Sequence, residues 1–566
     1  MTSDELRGSP FILYCPEFGW LIPVRVAIMN LDKQTQFDFI IVGAGSAGAT
    51  LAARLSENPQ FTVCLIEAGK KDKNPLIHIP FGLAFLAKLP NLNWNYDTAP
   101  QPELNNRSLY WPRGKTLGGS SSVNAMCYTR GDKQDYDHWR DLGATGWEWD
   151  AVLPYFKKSE CQQHGEDAYH GDAGPLSVTD LRHVNPLSHS FVAAASELGL
   201  PTNYDFNGPE REGLGLYQVT HINGQRCSSA RGYLTQAFAR PNLTVITQAL
   251  VEKVLIEKHI ATGVRLRINK QVVELSARKE VIISGGTINS PQILMLSGIG
   301  PKAHLQSLGI EVQLDLPGVG QNLQDHLDAI VQHRCTTKHS YAVSLGALPR
   351  YIKAAFNYGL KRKDIFASNI AEAGGFVKSQ HSQGLADIQY HFLPAILHDH
   401  GRRTAFGYGY GLHVCNLYPK SRGRIRLQST DPAQPPLIDP QYLSHEDDQK
   451  VMIDGVRQAR KILAASVFKP YQSYETLPGS AAQSDKQILA FIRAEAQSIY
   501  HPVGSCKMGR VEEVNTVVDS HLCVKGLKGL RVVDASVMPT LIGGNTNAAT
   551  IMIAERAADL IKNYHA

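Results

Sequence analysis

The sequence predicts an α/β protein in which segments far apart in the chain build one largely parallel sheet. Three stretches support this prediction: "FDFIIVGAGSAGATLAARL" at 37–55, "EVIISGGTINSPQILMLSGIGP" at 280–301 and "LRVVDASVMPTLIGGNTNAATIMIAERAADLI" at 530–561. In each, a short apolar run passes through glycine or polar residues into a helical pattern. Strand–turn–helix units of this kind are typical of sheets with parallel strands.

The first of these units carries a dinucleotide fingerprint. Residues 37–42 read as a buried strand, and Gly43, Gly45 and Gly48 follow as G-x-G-x-x-G before a helix begins. The glycines permit a tight turn, the approach of a pyrophosphate and close helix–strand packing, and the helix N-terminus attracts phosphate. The next strand ends in Glu67, where a carboxylate can bind a ribose hydroxyl. The unit predicts a bound dinucleotide, although it does not separate NAD from FAD.

Size and composition indicate a globular protein with two domains or one large composite. The chain has 566 residues, of which 43% are hydrophobic and 19% are charged. A net charge of +5 gives no reason to expect a nucleic-acid partner. No uninterrupted apolar run reaches eighteen residues, so we expect no membrane-spanning helix. Nine scattered cysteines without a C-x-x-C pair indicate free thiols in a reducing compartment, and hence a cytoplasmic protein.

The first 35 residues are predicted to be an N-terminal extension. They are apolar and aromatic, but prolines and charges interrupt them, and their first charges are acidic, unlike those of a secretory signal. Because the first clear structural element begins at Phe37, we expect Met29 to be the natural start and residues 1–28 to be dispensable.

Five further motifs accompany the fingerprint in a fixed order. They are "GKTLGGSSSVNAM" (114–126), "GGTINSPQILMLSGIG" (285–300), "LPGVGQNLQDH" (316–326), "HPVGSCKMG" (501–509) and "GLRVVDASVMP" (529–539). With these motifs the sequence resembles the glucose–methanol–choline (GMC) family of FAD-dependent oxidoreductases. Within that family it is most similar to the flavoprotein alcohol dehydrogenases of bacterial alkane degradation, and then to choline dehydrogenases.

The resemblance implies a Rossmann-like FAD/NAD(P)-binding domain and an inserted substrate domain built on an antiparallel sheet. The FAD-binding domain is expected at 36–160, 226–315 and 500–566, and the substrate domain at 161–225 and 316–499. The sequence agrees with this division, because residues 330–450 show short apolar runs without β–α–β alternation.

The same resemblance assigns the site residues. His501 is expected to be the general base, held at a loop tip by Pro502, and Asn545 to be its partner on the substrate oxygen. Val123 stands where some members link the flavin to a histidine, so FAD is expected to bind without a covalent bond. The residues expected to bind FAD are Gly43, Gly45, Ser46, Ala47, Gly48, Glu67, Ala68, Trp94, Arg113, Thr116, Leu117, Gly118, Gly119, Ser120, Asn124, Ala125, Met126, Val251, Ser284, Gly285, Asp534, Ala535, Asn545, Thr546 and Asn547.

The implied activity is the oxidation of primary, aliphatic alcohols to aldehydes by hydride transfer to flavin N5. Electrons would pass to a quinone or another acceptor, and the protein could attach peripherally to the inner membrane. The resemblance leaves open a choline dehydrogenase, an alcohol oxidase that uses O₂, a redox-silent hydroxynitrile lyase and a photodecarboxylase.

Three other polar features have structural interpretations. Glu372 could bind a cationic substrate such as choline, but a structural pairing with an arginine is the favoured interpretation. Cys415 lies near a functional cysteine of the photodecarboxylases, although buried cysteine is often a small hydrophobe. His398 and His400 lack a third ligand at zinc-like spacing, so no metal site is expected.

Overall fold

The computed structural model describes residues 35–86, 89–399 and 402–566, together with the backbone of two short paired strands, Ile12–Tyr14 and Leu21–Pro23. Most of the predicted extension, including Met29, and His400 lie outside the described residues. The strands of the two large sheets are, in chain order, β1 Gln36–Val42, β2 Val63–Glu67, β3 Gly213–Leu216, β4 Leu243–Thr247, β5 Ala249–Glu257, β6 Ile260–Ile268, β7 Gln271–Ile283, β8 Leu327–Arg334, β9 Ala373–Val377, β10 Ile388–Leu393, β11 Gly409–Asn416, β12 Tyr474–Leu477, β13 Gln497–Ser498 and β14 Leu530–Val532.

Helices cover and connect these sheets. They are α1 Ser46–Leu55, α2 Pro75–His78, α3 Leu83–Leu86, α4 Lys133–Asp141, α5 Trp149–Ser159, α6 Pro186–Glu197, α7 Thr235–Ala237, α8 Gly286–Leu296, α9 Lys302–Ser307, α10 Leu348–Lys361, α11 Glu446–Leu463, α12 Asp485–Glu495 and α13 Asn547–Tyr564. Short two-stranded ribbons pair Tyr96–Asp97 with Tyr110–Trp111, Glu160–Gln162 with Leu176–Val178, His221–Ile222 with Gln225–Arg226, Ile299–Gly300 with Leu314–Asp315, and Arg424–Arg426 with Leu437–Asp439.

The first large sheet contains all three units predicted from the sequence. Its strand order is β4-β2-β1-β7-β6-β5, and β14 pairs with β7. The pairs from β4 to β7, and β7 with β14, are parallel, whereas β7-β6 and β6-β5 are antiparallel. In β1, six of the seven residues are buried, as expected for a strand covered on both faces. Strands from 36–42, 271–283 and 530–532 therefore meet as neighbours, which confirms that distant segments build one sheet.

The second large sheet is antiparallel throughout, in the order β12-β8-β11-β10-β9-β3, and β13 pairs with β8. Helix α11 packs on β11 and β8, and α6 packs on β3 and β9. An antiparallel sheet in this part of the chain agrees with the composite fold class. The limits of the two domains remain a prediction.

Two features of this architecture place the site. Helix α13 packs against α1, where Glu555 forms an ion pair of 2.8 Å with Arg54 and accepts a hydrogen bond from the Tyr233 hydroxyl. Strand β13 pairs with β8 and then leads directly into the segment that carries His501. The first and last helices of the dinucleotide fold and the edge of the antiparallel sheet thus meet around one volume.

Candidate active site

A cavity of about 950 Å³ lies where the two large sheets meet. The carboxyl ends of β1 and β7 contribute Val42, Gly43 and Ser284 to its wall, and β10 and β11 contribute His391 and His413. Ligands of open α/β sheets bind outside the carboxyl ends of the strands. The cavity therefore occupies the place where a dinucleotide is expected, and it continues onto the antiparallel sheet.

The glycine turn after β1 is shaped by two different constraints. A Cβ on Gly43, whose φ is +98°, would lie 2.4 Å from Ser284 O, and a Cβ on Gly48 would lie 1.8 Å from Gly43 O. A Cβ on Gly45 would meet no atom within 4 Å, although Gly45 lines the cavity. Gly43 and Gly48 are thus required by packing, whereas Gly45 presents bare backbone to open space.

The loop at 114–126 lies against this turn. Gly118 N donates to Ala44 O over 2.8 Å, and a Cβ on Gly119 would lie 2.7 Å from Gly45 Cα. Thr116 Oγ1 and Leu117 N both donate to Lys70 O. These contacts hold the two glycine-rich loops together along one side of the cavity.

Two buried carboxylates line the cavity near the turn. Glu67 accepts from Ala44 N at 2.9 Å and from Gly69 N at 2.7 Å, and burial raises the pKa of Glu67 to about 7 although these bonds lower it. Asp534 accepts from Gly286 N and Ser536 N, and burial likewise raises the pKa of its carboxyl. Both side chains are already occupied by backbone amides of the surrounding loops.

The N-terminus of α13 points at the same cavity. Thr546 and Asn547, at its start, line the wall, and Asn547 Oδ1 accepts from Ser46 Oγ over 2.7 Å. The unpaired N–H groups and the positive dipole end of a helix stabilise negative charge by about 0.3–1 kcal/mol, and by more when buried. This end of the cavity suits an anionic group.

The "LPGVGQNLQDH" motif holds the loop of His501 through two adjacent residues. Asp325 Oδ1 accepts from His501 N over 2.7 Å, and Oδ2 accepts from Ser498 Oγ and from the Tyr442 hydroxyl. Burial raises the pKa of Asp325 to about 6 in spite of these bonds. His326 Nδ1 lies 3.0 Å from His501 Nδ1. Backbone and ring of His501 are therefore both anchored by this motif.

Hydrogen bonding assigns the tautomer of His501. His326 Nε2 lies 3.0 Å from Leu417 O, which can only accept, so His326 carries its proton on Nε2. Burial lowers the pKa of His326 to about 3, so its ring is neutral and its Nδ1 accepts the proton of His501 Nδ1. The lone pair of His501 then resides on Nε2, the nitrogen next to Asn545.

The amide of Asn545 is oriented by two donors. Its Oδ1 accepts from Thr129 Oγ1 at 3.1 Å and from Gln389 Nε2 at 3.0 Å. Its Nδ2 must therefore face His501 Nε2, 3.2 Å away, and donate to it. The site thus presents a neutral imidazole lone pair and an amide N–H side by side.

Electrostatics keep His501 in its basic form. The residue is only 9% exposed, and burial lowers its pKa well below the usual value, with further lowering by the positive charge of Arg113. Arg113 donates to Tyr500 O over 2.6 Å, which places its charge beside the histidine loop. An imidazole in this environment is unprotonated at neutral pH and available to accept a proton.

Most of the residues predicted to bind FAD line this one cavity together with His501. The exceptions are Gly48, Thr116, Leu117 and Gly118, which lie one layer behind the wall and hold the two loops by the contacts described above. The residues of the prediction that line the cavity are Gly43, Gly45, Ser46, Ala47, Glu67, Ala68, Trp94, Arg113, Gly119, Ser120, Asn124, Ala125, Met126, Val251, Ser284, Gly285, Asp534, Ala535, Asn545, Thr546 and Asn547.

Sequence reasoning missed three histidines around His501. His326 contacts it directly, and His391 and His413, which face each other across β10 and β11, line the cavity. The motif "NLQDH" signalled His326 without giving it a role. No sequence motif marked His391 and His413, because polar residues such as these are common in strands of alternating polarity. His413 Nδ1 bonds Asp328 Oδ2 over 2.6 Å, and His391 Nδ1 lies 4.0 Å from Cys415 Sγ.

The other polar features take structural roles. The carboxylate of Glu372 accepts from Asn185 N and from the hydroxyls of Ser188, Tyr341 and Ser368, and this residue does not line the cavity. Cys415 is buried behind the wall. Within the described residues, no group of three or more histidine, cysteine or acidic side chains could hold a metal, and all eight described cysteines are free thiols.

Comparison with known proteins decides the family. Residues 37–328 and 419–554 match the two models of the GMC oxidoreductase family. The chain belongs to the GMC oxidoreductase family. The predicted resemblance is thereby confirmed.

Individual members resemble the chain over nearly its whole length. An alcohol dehydrogenase [acceptor] of Pseudomonas putida is 51% identical over 93% of this chain and 95% of its own. An oxygen-dependent choline dehydrogenase of Brucella anthropi is 42% identical over the same shares. The solved FAD-dependent oxidoreductase from Chaetomium thermophilum superimposes with a TM-score of 0.85 at 28% identity, over 94% of this chain and 99% of that one.

The protein is therefore an FAD-dependent GMC oxidoreductase. The open space beside Gly45 and the helix N-terminus at Thr546 fit the phosphates and the ring of such a cofactor. None of the helices in the described part of the chain is long and apolar enough to cross a membrane.

Proposed function

We propose that this GMC oxidoreductase oxidises primary, aliphatic alcohols to aldehydes. The proposal rests on the position of His501. Its Nε2 lone pair lies beside the Asn545 amide, in the same cavity that the dinucleotide turn lines. The alcohol dehydrogenase activity of the relative in Pseudomonas putida supports this reaction class.

The proposed chemistry divides between two residues of the chain. His501 Nε2 accepts the hydroxyl proton, which builds alkoxide character on the substrate oxygen. The alcohol hydroxyl replaces Asn545 Nδ2 as the donor to His501 Nε2, and Asn545 Nδ2 then donates to the alcohol oxygen and keeps it near the base. FAD, when bound, supplies the hydride acceptor at N5. Because burial keeps His501 neutral before the reaction, it is ready to take the proton at physiological pH.

The lining of the cavity favours an uncharged, apolar substrate. The apolar side chains of its wall include Phe81, Leu393 and Ile396, whereas Arg402 and Arg403 bring positive charge to it. The carboxylates among the described lining residues are Glu67 and Asp534, and both accept backbone amides near the glycine turn. A quaternary ammonium would meet two arginines, and both carboxylates of the wall are held by backbone amides, so the choline dehydrogenase alternative is less favoured.

We infer that FAD is held without a covalent bond. The phosphates would lie at Gly43–Gly48, the ribose at Glu67, and the ring near the loop at 114–126 and the start of α13. Val123 lines the cavity and has no nucleophilic atom, which supports this inference.

The electron acceptor and location belong to the same proposal. We infer that electrons pass to a quinone or another acceptor rather than to O₂, and that the protein is cytoplasmic and attaches peripherally to the inner membrane. The bracketed "acceptor" in the name of the relative from Pseudomonas putida supports an acceptor other than NAD.

The experiment is anaerobic flavin reduction with a panel of alcohols that includes choline. Aliphatic primary alcohols should bleach the flavin, and His501→Ala should lower kcat/KM by about 10²–10⁴ while FAD remains bound. Near-normal turnover by this variant would contradict the assignment of the base. The peroxide yield in air distinguishes an oxidase, and absence of bleaching with every alcohol would indicate a redox-silent lyase.

A further inference from the structure

Helix α10 carries an apolar stripe on its outer side. Leu348, Ile352, Phe356 and Leu360 follow one another at intervals of four residues and are 55%, 63%, 68% and 68% exposed. Side chains at this spacing share one side of a helix, and here the row extends about 20 Å. The inward side holds the buried Ala354 and Tyr358. The helix therefore already buries a face against the protein, and its second apolar face is open to solvent.

The stripe continues onto the mouth of the active-site cavity. Val343 and Leu345 precede the helix, Phe406 pairs with Val343 across a β-bridge, and Phe85 lies nearby on the cavity wall, all of them exposed. Phe85, Val343 and Leu348 belong to the cavity lining. The side chains Phe85, Val343, Leu345, Leu348, Ile352, Phe356, Leu360 and Phe406 are called the mouth patch here. A contiguous exposed apolar surface next to a substrate entrance marks an interaction site.

The charges around the mouth patch are mostly positive, although Asp364 follows Lys363 and Asp399 pairs with Arg402 at 3.6 Å. Residues 345–363 contain Arg350, Lys353, Lys361, Arg362 and Lys363 and no acidic residue. Exposed Arg402 and Arg403 also line the cavity, so they flank its entrance. Apolar side chains flanked by lysine and arginine match the interface of an anionic bilayer, where apolar groups enter the acyl region and cations remain among the headgroups.

We propose that the mouth patch docks this protein on an anionic phospholipid bilayer, with α10 lying in the plane of the interface. A second copy of the chain is a poorer occupant, because a two-fold contact through α10 would bring its cations against the same cations of the partner. The cavity then opens towards the lipid, where a water-insoluble alcohol is dissolved. The docking assigns the peripheral attachment of the proposed function to one surface, and this route for the substrate rests on the proposed oxidation.

The test is flotation of the holoenzyme with lipid vesicles. Vesicles of phosphatidylglycerol and phosphatidylethanolamine are compared with vesicles of phosphatidylcholine alone. The wild type should float with the anionic vesicles. Ile352→Glu/Phe356→Glu should lower its partition coefficient at least about tenfold, because two inserted apolar side chains are replaced by anions. The matched control Val272→Glu/Val514→Glu changes two exposed valines outside the patch and should float as the wild type does.

Flavin content and turnover of a water-soluble alcohol with an artificial acceptor show that each variant is folded. Ile352 and Phe356 do not line the cavity, so this turnover should be unchanged. Equal flotation of both double variants, or no flotation of the wild type, would overturn the docking proposal. So would a dimer in sedimentation velocity that only Ile352→Glu/Phe356→Glu dissociates, because the patch would then be a subunit interface. Anaerobic bleaching by soluble alcohols tests the proposed function independently of these results.

Discussion

At the residue scale, the site depends on which nitrogen of His501 carries a proton. Its ring is fixed at Nδ1 by His326, which in turn donates to Leu417 O. A general base works only if its lone pair faces the substrate, so the neutral acceptor role of His326 is a positioning role. His326 lies too far back to line the cavity, and we assign it no contact with the substrate.

The variant His326→Ala should therefore lower kcat/KM by about 10–10³ with FAD content unchanged. The wild-type profile should be flat above neutral pH and fall only well below pH 6.5, because burial lowers the pKa of His501 and only its neutral form accepts a proton. Loss of the His326 ring leaves His501 less buried, so part of that lowering is lost and the acid limb should move to higher pH. The pH dependence of kcat/KM measures this, with His189→Ala on the exposed side of α6 as the control. If the acid limb of the profile did not move, His326 would have a packing role only.

At the scale of elements, the turn between β1 and α1 contains one glycine that packing requires, Gly48, and one that faces the cavity, Gly45. A Cβ at position 48 would collide with Gly43 O, whereas a Cβ at position 45 would enter open cavity space. Gly48→Ala should destabilise the fold by about 1–3 kcal/mol or more. Gly45→Ala should leave the apoprotein as stable as the wild type and weaken its affinity for FAD. Thermal melting of apoprotein and FAD titration measure the two effects. Equal losses of apoprotein stability would refute the distinction.

Elements also show how far the sequence could predict this molecule. The glycine turn, His501 and Asn545 could be placed because each belongs to a short local motif. The role of His326 could not, since it arises from a contact between residues 175 positions apart. The stripe on α10 could not either, because leucine and phenylalanine at helical spacing normally indicate a buried face. Only the packing of Ala354 and Tyr358 shows which side of this helix is inward.

At the scale of the whole molecule, FAD would touch segments from both ends of the chain. A ligand bound only by the folded state stabilises it in proportion to RT ln(1 + [L]/Kd), about 2.7 kcal/mol at a hundredfold excess over Kd. Added FAD should therefore raise the melting temperature of a partly flavin-free preparation. After acid precipitation, the yellow colour should stay in the supernatant. Colour in the washed pellet would show a covalent link and contradict the inference from Val123.

The pairing of β1 and β14 with β7 in one sheet also sets the order of events during synthesis. Strand β14 joins the sheet beside β7, and α13 packs on α1, so the dinucleotide turn at 43–48 has no complete surroundings until α13 has been translated. At about 5–20 residues per second, the turn emerges roughly half a minute or more before α13 exists. From the synthesis of β7 to that of β14, roughly 12 s or more at the same rate, the edge of β7 that β14 covers stays open. We therefore expect FAD to be captured only after α13 has been made, and the nascent chain to expose an aggregation-prone strand edge until β14 covers it.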